Sequence, residues 1–142
     1  MSKLPFLKMH GLGNDFVVLD ARAPGRGMGG LDLSIPERQW LADRHRGIGC
    51  DQLITLEPPV DPAADVFMRI HNADGSEARA CGNATRCIAA RVMGEKGSGH
   101  TVVQTVAGLL QAESLGNGEV SVDMGPANLD WRDIPVAAAC DT

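Results

Sequence analysis

The sequence lacks the features that would connect it to a membrane, to secretion or to nucleic acid. None of its apolar runs approaches the ~18 residues that a membrane-spanning helix requires. Its N-terminus has neither the long apolar stretch nor the small-residue cleavage site of a secretory signal. The 13 Lys and Arg residues are interspersed among 18 Asp and Glu residues, without the basic stripe that nucleic-acid binding favours. We therefore expect a cytoplasmic protein that binds neither membranes nor nucleic acid.

The sequence also lacks the motifs that usually hold metals and cofactors. The four cysteines, Cys50, Cys81, Cys87 and Cys140, include no Cys-x-x-Cys pair, and the four histidines are scattered singly. No phosphate-binding loop occurs, and the Gly-Leu-Gly sequence at 11–13 is too short for a dinucleotide fingerprint. Because the cytosol keeps thiols reduced, we expect free cysteines, and we expect neither a metal nor a cofactor.

The apolar content of the chain is sufficient for a folded core. Leu, Ile, Val and Phe account for 33 of 142 residues, above the level of ~20% below which chains tend to be disordered. The 17 glycines indicate many tight turns. The tail differs, since it contains Pro126 and Pro135 and has little periodicity. We expect one domain over residues 1–125, followed at 126–142 by a linker or an interrupted segment.

Hydrophobic periodicity predicts an α+β domain with mostly antiparallel strands and two helices. A capping-box pattern at Ser34 and Glu37 predicts a helix that runs to about His45, with Gly47 ending it. A second helix is predicted from Gly82 to about Glu95, with Ala84, Cys87, Ile88 and Val92 on one apolar stripe. The predicted strands are Phe6–His10, Phe16–Leu19, Gln52–Leu56, Asp65–His71, Thr101–Val106, Leu109–Leu115 and Glu119–Met124.

Cys81 is the most informative candidate for chemistry, because it directly precedes the second predicted helix. At such a position the unpaired amides and the positive end of the helix dipole favour a thiolate. The amides of Gly82 and Asn83 would be free to bind an anion such as a carboxylate. Together these residues could form a proton-transfer group beside a carboxylate site. An ordinary buried cysteine is an equally good interpretation of Cys81.

Amide side chains near turns form a second set of candidates. Asn14, Gln52, Asn72 and Asn83 could bind the amino and carboxylate groups of a small substrate without carrying charge. Asn14 and Asn72 could equally serve only to stabilise turns through local hydrogen bonds to the backbone.

Four ordered motifs together resemble the diaminopimelate epimerase family. They are Lys8–Phe16 (KMHGLGNDF), Gly47–Gln52 (GIGCDQ), Asn72–Glu77 (NADGSE) and Ala80–Cys87 (ACGNATRC). The resemblance extends over roughly Lys3 to Pro135, and four motifs in order make it far more specific than a lone Cys-Gly-Asn. It favours this family over a proline-racemase-like or phenazine-isomerase-like relative, although a related isomerase stays an alternative.

The resemblance implies a fold and an activity. The fold is a curved mixed, mainly antiparallel sheet wrapped around a central helix. The activity is a cofactor-independent epimerisation of LL-diaminopimelate to the meso form, for lysine and peptidoglycan synthesis, by two cysteines on opposite sides of the reacting carbon. Cys81 matches the first catalytic cysteine. The positions that match substrate contacts of the family are Asn14, Gln52, Asn72, Gly82 and Asn83.

The chain departs from the family in length. Members are about twice as long and place the active site between two similar halves, the second of which carries the second cysteine. Cys140 does not match that second motif. The resemblance therefore implies an N-terminal half that is inactive alone, with a second domain and a homodimer in the complete enzyme. The alternative is a non-catalytic fragment that binds an amino acid or docks on a partner.

Overall fold

The computed structural model describes residues 3–22, 31–134 and 136–139. These residues form eight strands, two α-helices and one short 3₁₀ helix. The strands are β1 (Leu7–Gly11), β2 (Asn14–Asp20), β3 (Gln52–Glu57), β4 (Val66–Asn72), β5 (Glu77–Ala78), β6 (His100–Thr105), β7 (Gly108–Gly116) and β8 (Glu119–Asp123). The helices are α1 (Ile35–Ala42), α2 (Gly82–Lys96) and the 3₁₀ turn Trp131–Asp133. Neither α-helix has the length and apolar character that crossing a bilayer requires.

The described strands form one mixed sheet in the order β1-β2-β3-β4-β6-β7-β8, with the short β5 paired to β4. Only β2 with β3 and β4 with β6 are parallel pairs among these strands, and the other pairs are antiparallel. Parallel neighbours need a long crossover, and α1 and α2 lie in these two connections. The expected α+β class with a mainly antiparallel sheet is confirmed.

Helix α2 is the centre of the main core. It contacts β1 and β4 as well as β6, β7 and β8, which are strands from both ends of the sheet, so the sheet must curve around the helix. Ala84 and Ile88 are completely buried and Val92 nearly so, as the apolar stripe predicts, whereas Cys87 is only partly buried at the edge of the core. Gly97 ends the helix in a left-handed conformation at φ 63°, which favours glycine.

Helix α1 covers the opposite face of the sheet with a smaller core. Leu41 and Ala42 pack there with Val17, Leu19 and Leu53. Glu37 reaches back to Ser34 as the capping-box pattern predicts, and its carboxylate accepts hydrogen bonds from the Ser34 amide (2.8 Å) and hydroxyl (2.6 Å).

The predicted end of α1 at His45 is wrong, since the helix ends at Ala42. The Asp43 carboxylate accepts hydrogen bonds from the backbone amides of His45 (2.8 Å) and Arg46 (3.0 Å), which turns the chain away from the helix. Strand β2 begins at Asn14, two residues before its predicted start at Phe16. The two-residue β5 and the 3₁₀ turn in the tail were not predicted. Cys140 lies outside the described residues.

Candidate active site

Three of the predicted amide residues lie at one end of the sheet and on its α2 side. Side chains alternate between the two faces of a strand, and each amide stands two positions from a core residue of its own strand. The pairs are Asn14 with Phe16, Gln52 with Ile54, and Asn72 with Ile70. Gln52 is the register partner of Asn72 in β4, while Phe16 in β2 pairs with Gln52. The pairing therefore places all three amides on the concave side near one end.

Cys81 is the N-cap of α2, as the sequence predicts. Its Sγ accepts a hydrogen bond from the Ala84 amide at 3.5 Å, while its backbone is extended. The first helical hydrogen bond runs from the Thr85 amide to the Cys81 carbonyl (2.9 Å), and the Thr85 hydroxyl donates to the same oxygen (2.8 Å). The thiol is thus fixed over the first turn of the helix, where the amides of Gly82 and Asn83 precede that first bond.

Asn14 joins the sheet to the start of α2. Its Oδ1 accepts from the Asn83 side-chain amide at 3.3 Å and lies 3.7 Å from the Cys81 thiol, which donates to it. Gly11 permits this close approach, because a Cβ at that position would lie 3.2 Å from both the Cβ and the carbonyl oxygen of Asn83. Asn14 is therefore in one hydrogen-bonded group with two residues of the α2 start that lie 67 and 69 positions further along the chain.

Gln52 and Asn72 form a second pair of amides. The Gln52 Nε2 donates to the Asn72 Oδ1 at 3.0 Å, and the Asn72 Nδ2 donates to the Ser76 hydroxyl at 3.1 Å. The Gln52 Oε1 is buried and has no hydrogen-bond partner among the described residues. A buried acceptor without a partner is costly, so this oxygen is a candidate to receive a hydrogen bond from a ligand.

A cluster of four charged residues beside Asn14 was missed by the sequence analysis. Arg44 donates to Asp15 Oδ1 (2.6 Å) and Asp51 Oδ1 (2.9 Å), and Lys8 donates to Asp15 Oδ2 (2.7 Å). The hydrogen bonds from Arg44 and Lys8 outweigh burial and hold the pKa of the Asp15 carboxyl far below its usual range. The hydrogen bond from the Asn14 side chain likewise lowers the pKa of the Asp51 carboxyl. The sequence signal for this cluster was that Asp15 and Asp51 both lie within the motifs that carry the family resemblance.

The other two described cysteines lack a comparable setting. Cys50 is buried in the α1 core, and burial raises the pKa of its thiol. Burial also raises the pKa of the Cys87 thiol. All three described cysteines are free, as expected. Within the described part of the chain, no group of three or more His, Cys, Asp and Glu side chains is arranged to hold a metal ion.

Comparison with known sequences identifies relatives over nearly the whole chain. The family model described as diaminopimelate epimerase matches residues 6–129. The diaminopimelate epimerase of Rhodospirillum centenum is 58% identical over 137 residues, which are 96% of this chain and 45% of the relative. That of Acidiphilium cryptum is 57% identical over 138 residues, or 97% of this chain and 47% of the relative. The chain spans about half the length of these relatives.

Solved structures share the fold at low sequence identity. A hydroxyproline epimerase from Agrobacterium vitis aligns with a TM-score of 0.58 and 19% identity, over 82% of this chain and 40% of that one. A methylitaconate-delta-isomerase aligns with a TM-score of 0.57 and 17% identity, over 89% of this chain and 66% of that one. These likenesses concern the fold alone, and the sequence matches are far more specific. The chain belongs to the diaminopimelate epimerase family.

Proposed function

We propose that this chain supplies one side of the active site of a diaminopimelate epimerase, which interconverts the LL and meso forms of diaminopimelate. Cys81 is the proposed catalytic residue on this side. The observation that carries the proposal is the position of its thiol, which caps α2 and hydrogen bonds with Asn14 beside Asn83. A thiol at a helix N-terminus is suited to proton transfer, because the helix end stabilises its anion.

The start of α2 is the proposed site for the carboxylate at the reacting carbon. The backbone amides of Gly82 and Asn83 belong to the first turn, where helices bind anions. Negative charge that develops on this carboxylate when the α-proton leaves is stabilised by the same amides, since preorganised donors lower the barrier to carbanion formation. The buried Gln52 Oε1 is a suitable acceptor for a substrate ammonium group.

The inversion itself requires proton transfer on two faces of the α-carbon. One thiol removes the proton from one face, and a second acid returns a proton to the opposite face. Cys81 occupies one face, so we propose that a second thiol comes from the half of the family's length that this chain does not span. The two halves would enclose the substrate and exclude water, which protects the carbanion from the solvent.

The proposal extends to the organisation of the complete enzyme. Residues 1–125 would form the domain that carries Cys81, and residues 126–142 would lead into a second domain. The complete enzyme would be a cytoplasmic homodimer that uses neither a metal nor an organic cofactor. The three free thiols of the described chain are consistent with a reducing compartment.

The proposed function is tested with a chimera in which this chain replaces the matching 45% of the Rhodospirillum centenum relative. Solvent deuterium incorporation at the α-carbon of LL-diaminopimelate is followed by NMR. We expect exchange by the chimera, and a loss of about 10²–10⁴-fold in Cys81→Ala, the usual cost of losing a positioned acid or base. The matched control, Cys87→Ala, should retain activity within a few fold.

The 142-residue chain alone should show no measurable exchange, because it lacks the second proton donor and part of the substrate clamp. Two results would contradict the proposal. One is a Cys81→Ala chimera that exchanges as fast as its parent, and the other is exchange by the isolated chain at the rate of the chimera.

A further inference from the structure

The contact between Asp51 and Asn14 determines which way the Asn14 amide faces. The Asn14 Nδ2 donates to Asp51 Oδ2 at 3.0 Å. An ionised carboxylate has no proton to donate, so it can pair only with the NH₂ side of the amide. The carbonyl side of Asn14 is thereby directed to the opposite partners, the Cys81 thiol and the Asn83 amide.

The Asp51 carboxylate is itself held in place from several directions. Its Oδ2 accepts from the Asp15 amide (3.0 Å), and its Oδ1 accepts from Arg44 (2.9 Å). The Asp51 amide in turn donates to Asp15 Oδ1 at 3.0 Å. These bonds leave Asp51 little freedom to move when Asn14 rotates, so the orientation of the amide follows from a rigid support.

We propose that Asp51 is a positioning residue that holds the Asn14 carbonyl against Cys81, where this carbonyl accepts the hydrogen bond of the thiol. The inference rests on the proposed role of Cys81. Two groups of opposite effect contact the sulfur. The Ala84 amide donates a hydrogen bond to the sulfur at 3.5 Å, and the Asn14 carbonyl accepts one from the thiol at 3.7 Å. Asp51 determines that the second group is a carbonyl and not an NH₂.

Other charged groups lie around Asn14 and Asn83, the residues that hydrogen bond beside the Cys81 thiol. Lys8 on β1, Asp15 on β2 and Arg44 after α1 belong to the cluster that holds Asp51. Arg86 on α2 donates to the Asn83 side chain. Removing the charge of Asp51 would also alter the field at Cys81 directly, so the test must separate this effect from reorientation of Asn14.

The test measures alkylation of Cys81 by iodoacetamide in the 142-residue chain, as a function of pH, with peptide mass spectrometry. In Asp51→Asn the introduced amide can donate to Asn14, so Asn14 can turn its NH₂ toward the sulfur at the cost of the 3.3 Å bond from Asn83. We expect Cys81 to react about two- to tenfold faster at pH 7, the size of one ordinary hydrogen bond, with its pH profile displaced to lower pH. The rate at Cys87 should not change.

Two controls make the result decisive. Asp43 lies in the same connection between α1 and β3, and its carboxylate contacts the local backbone amides of His45 and Arg46. Asp43→Asn therefore removes a nearby carboxylate and should leave the alkylation rate at Cys81 unchanged. In an Asn14→Ala background, Asp51→Asn should lose most of its effect on the rate at Cys81, because only the direct effect of the lost charge remains there. An equal acceleration in that background would overturn the proposal, as would an unchanged or slower rate in Asp51→Asn itself.

If Asp51→Asn fails to give a cooperative thermal transition, Asn14→Ala tests the carbonyl through which Asp51 is proposed to act. Loss of the carbonyl should accelerate alkylation of Cys81, and an unchanged rate would overturn the inference. Alkylation does not depend on epimerase activity, so this proposal and the proposed function can fail separately.

Discussion

Gly47 is the position at which one added methyl group should do the greatest damage to the fold. It follows α1 in the segment that leads to Asp51 and β3, and its amide donates to the Asp43 carbonyl at 2.9 Å. A Cβ built on Gly47 would lie 1.8 Å from the Trp40 carbonyl oxygen and 2.9 Å from that of Leu41. Both obstacles are backbone atoms of the helix, so no side-chain rotation can relieve the clash.

The cost of Gly47→Ala follows from the displacement that it requires. Real Cβ contacts essentially never fall below 3.0 Å, so the helix and the segment after it must separate by more than 1 Å. Overpacking usually costs about 1–3 kcal/mol, and a clash with backbone belongs at or above the upper end. We expect a loss of at least about 3 kcal/mol, a large part of the ~5–15 kcal/mol that stabilises a typical domain.

The measurement is urea unfolding followed by circular dichroism, with Gly94→Ala as the matched control. Gly94 is exposed in the last turn of α2, and no atom lies within 4 Å of the position its Cβ would take. Since alanine is favoured over glycine in helices by about 0.5–1 kcal/mol, the control should be stabilised slightly. A Gly47→Ala variant whose free energy of unfolding lies within ~0.5 kcal/mol of the parent, at unchanged m-value, would refute the reasoning.

Two further predictions concern reactivity and acid stability. Iodoacetamide should label Cys81 faster than Cys87 at neutral pH, because burial raises the pKa of the Cys87 thiol whereas Cys81 caps a helix; faster labelling of Cys87 would contradict this. Hydrogen bonds from Arg22 lower the pKa of Asp20 to about 2, so its contribution to stability is present above pH ~4 and is lost toward pH 2. Asp20→Asn should therefore be less stable by about 1 kcal/mol at pH 7, allowing for solvent screening, and urea unfolding should show the difference shrinking between pH 4 and pH 2. A difference independent of pH would exclude this explanation.

The elements of the fold were predictable where local chemistry determines them. The Ser34 and Glu37 pair marks the start of α1, and Cys81 marks the start of α2, because capping depends on residues adjacent in sequence. The end of α1 was misplaced because Asp43 forms local side-chain bonds that compete with the helix. Strand β5 has two residues and depends on its pairing with β4, so no periodicity could reveal it.

The site was predictable as a set of residues and not as an arrangement. The motifs indicated Cys81, Asn14 and Asn83 individually, but their contact depends on the sheet curving until β1 and β2 meet the start of α2. The ion pairs of Asp15 and Asp51 also arise from tertiary structure, since β2 and β3 become parallel neighbours only through the α1 crossover. Local patterns carry no information about such distant pairing.

The distribution of charge around Cys81 suits the base and the carboxylate site that we propose there. The hydrogen-bond partners of the thiol among the described residues are neutral, namely the Asn14 side chain and the Ala84 amide. The ionised groups Asp15 and Asp51 lie beyond Asn14, and the two positive charges of Arg44 and Lys8 balance them through ion pairs. A formal negative charge next to the thiol would oppose both a thiolate and a substrate carboxylate. With amides in contact with the thiol and acids behind them, the positive end of α2 acts on the thiol, while the acids are placed to orient the amides as we propose.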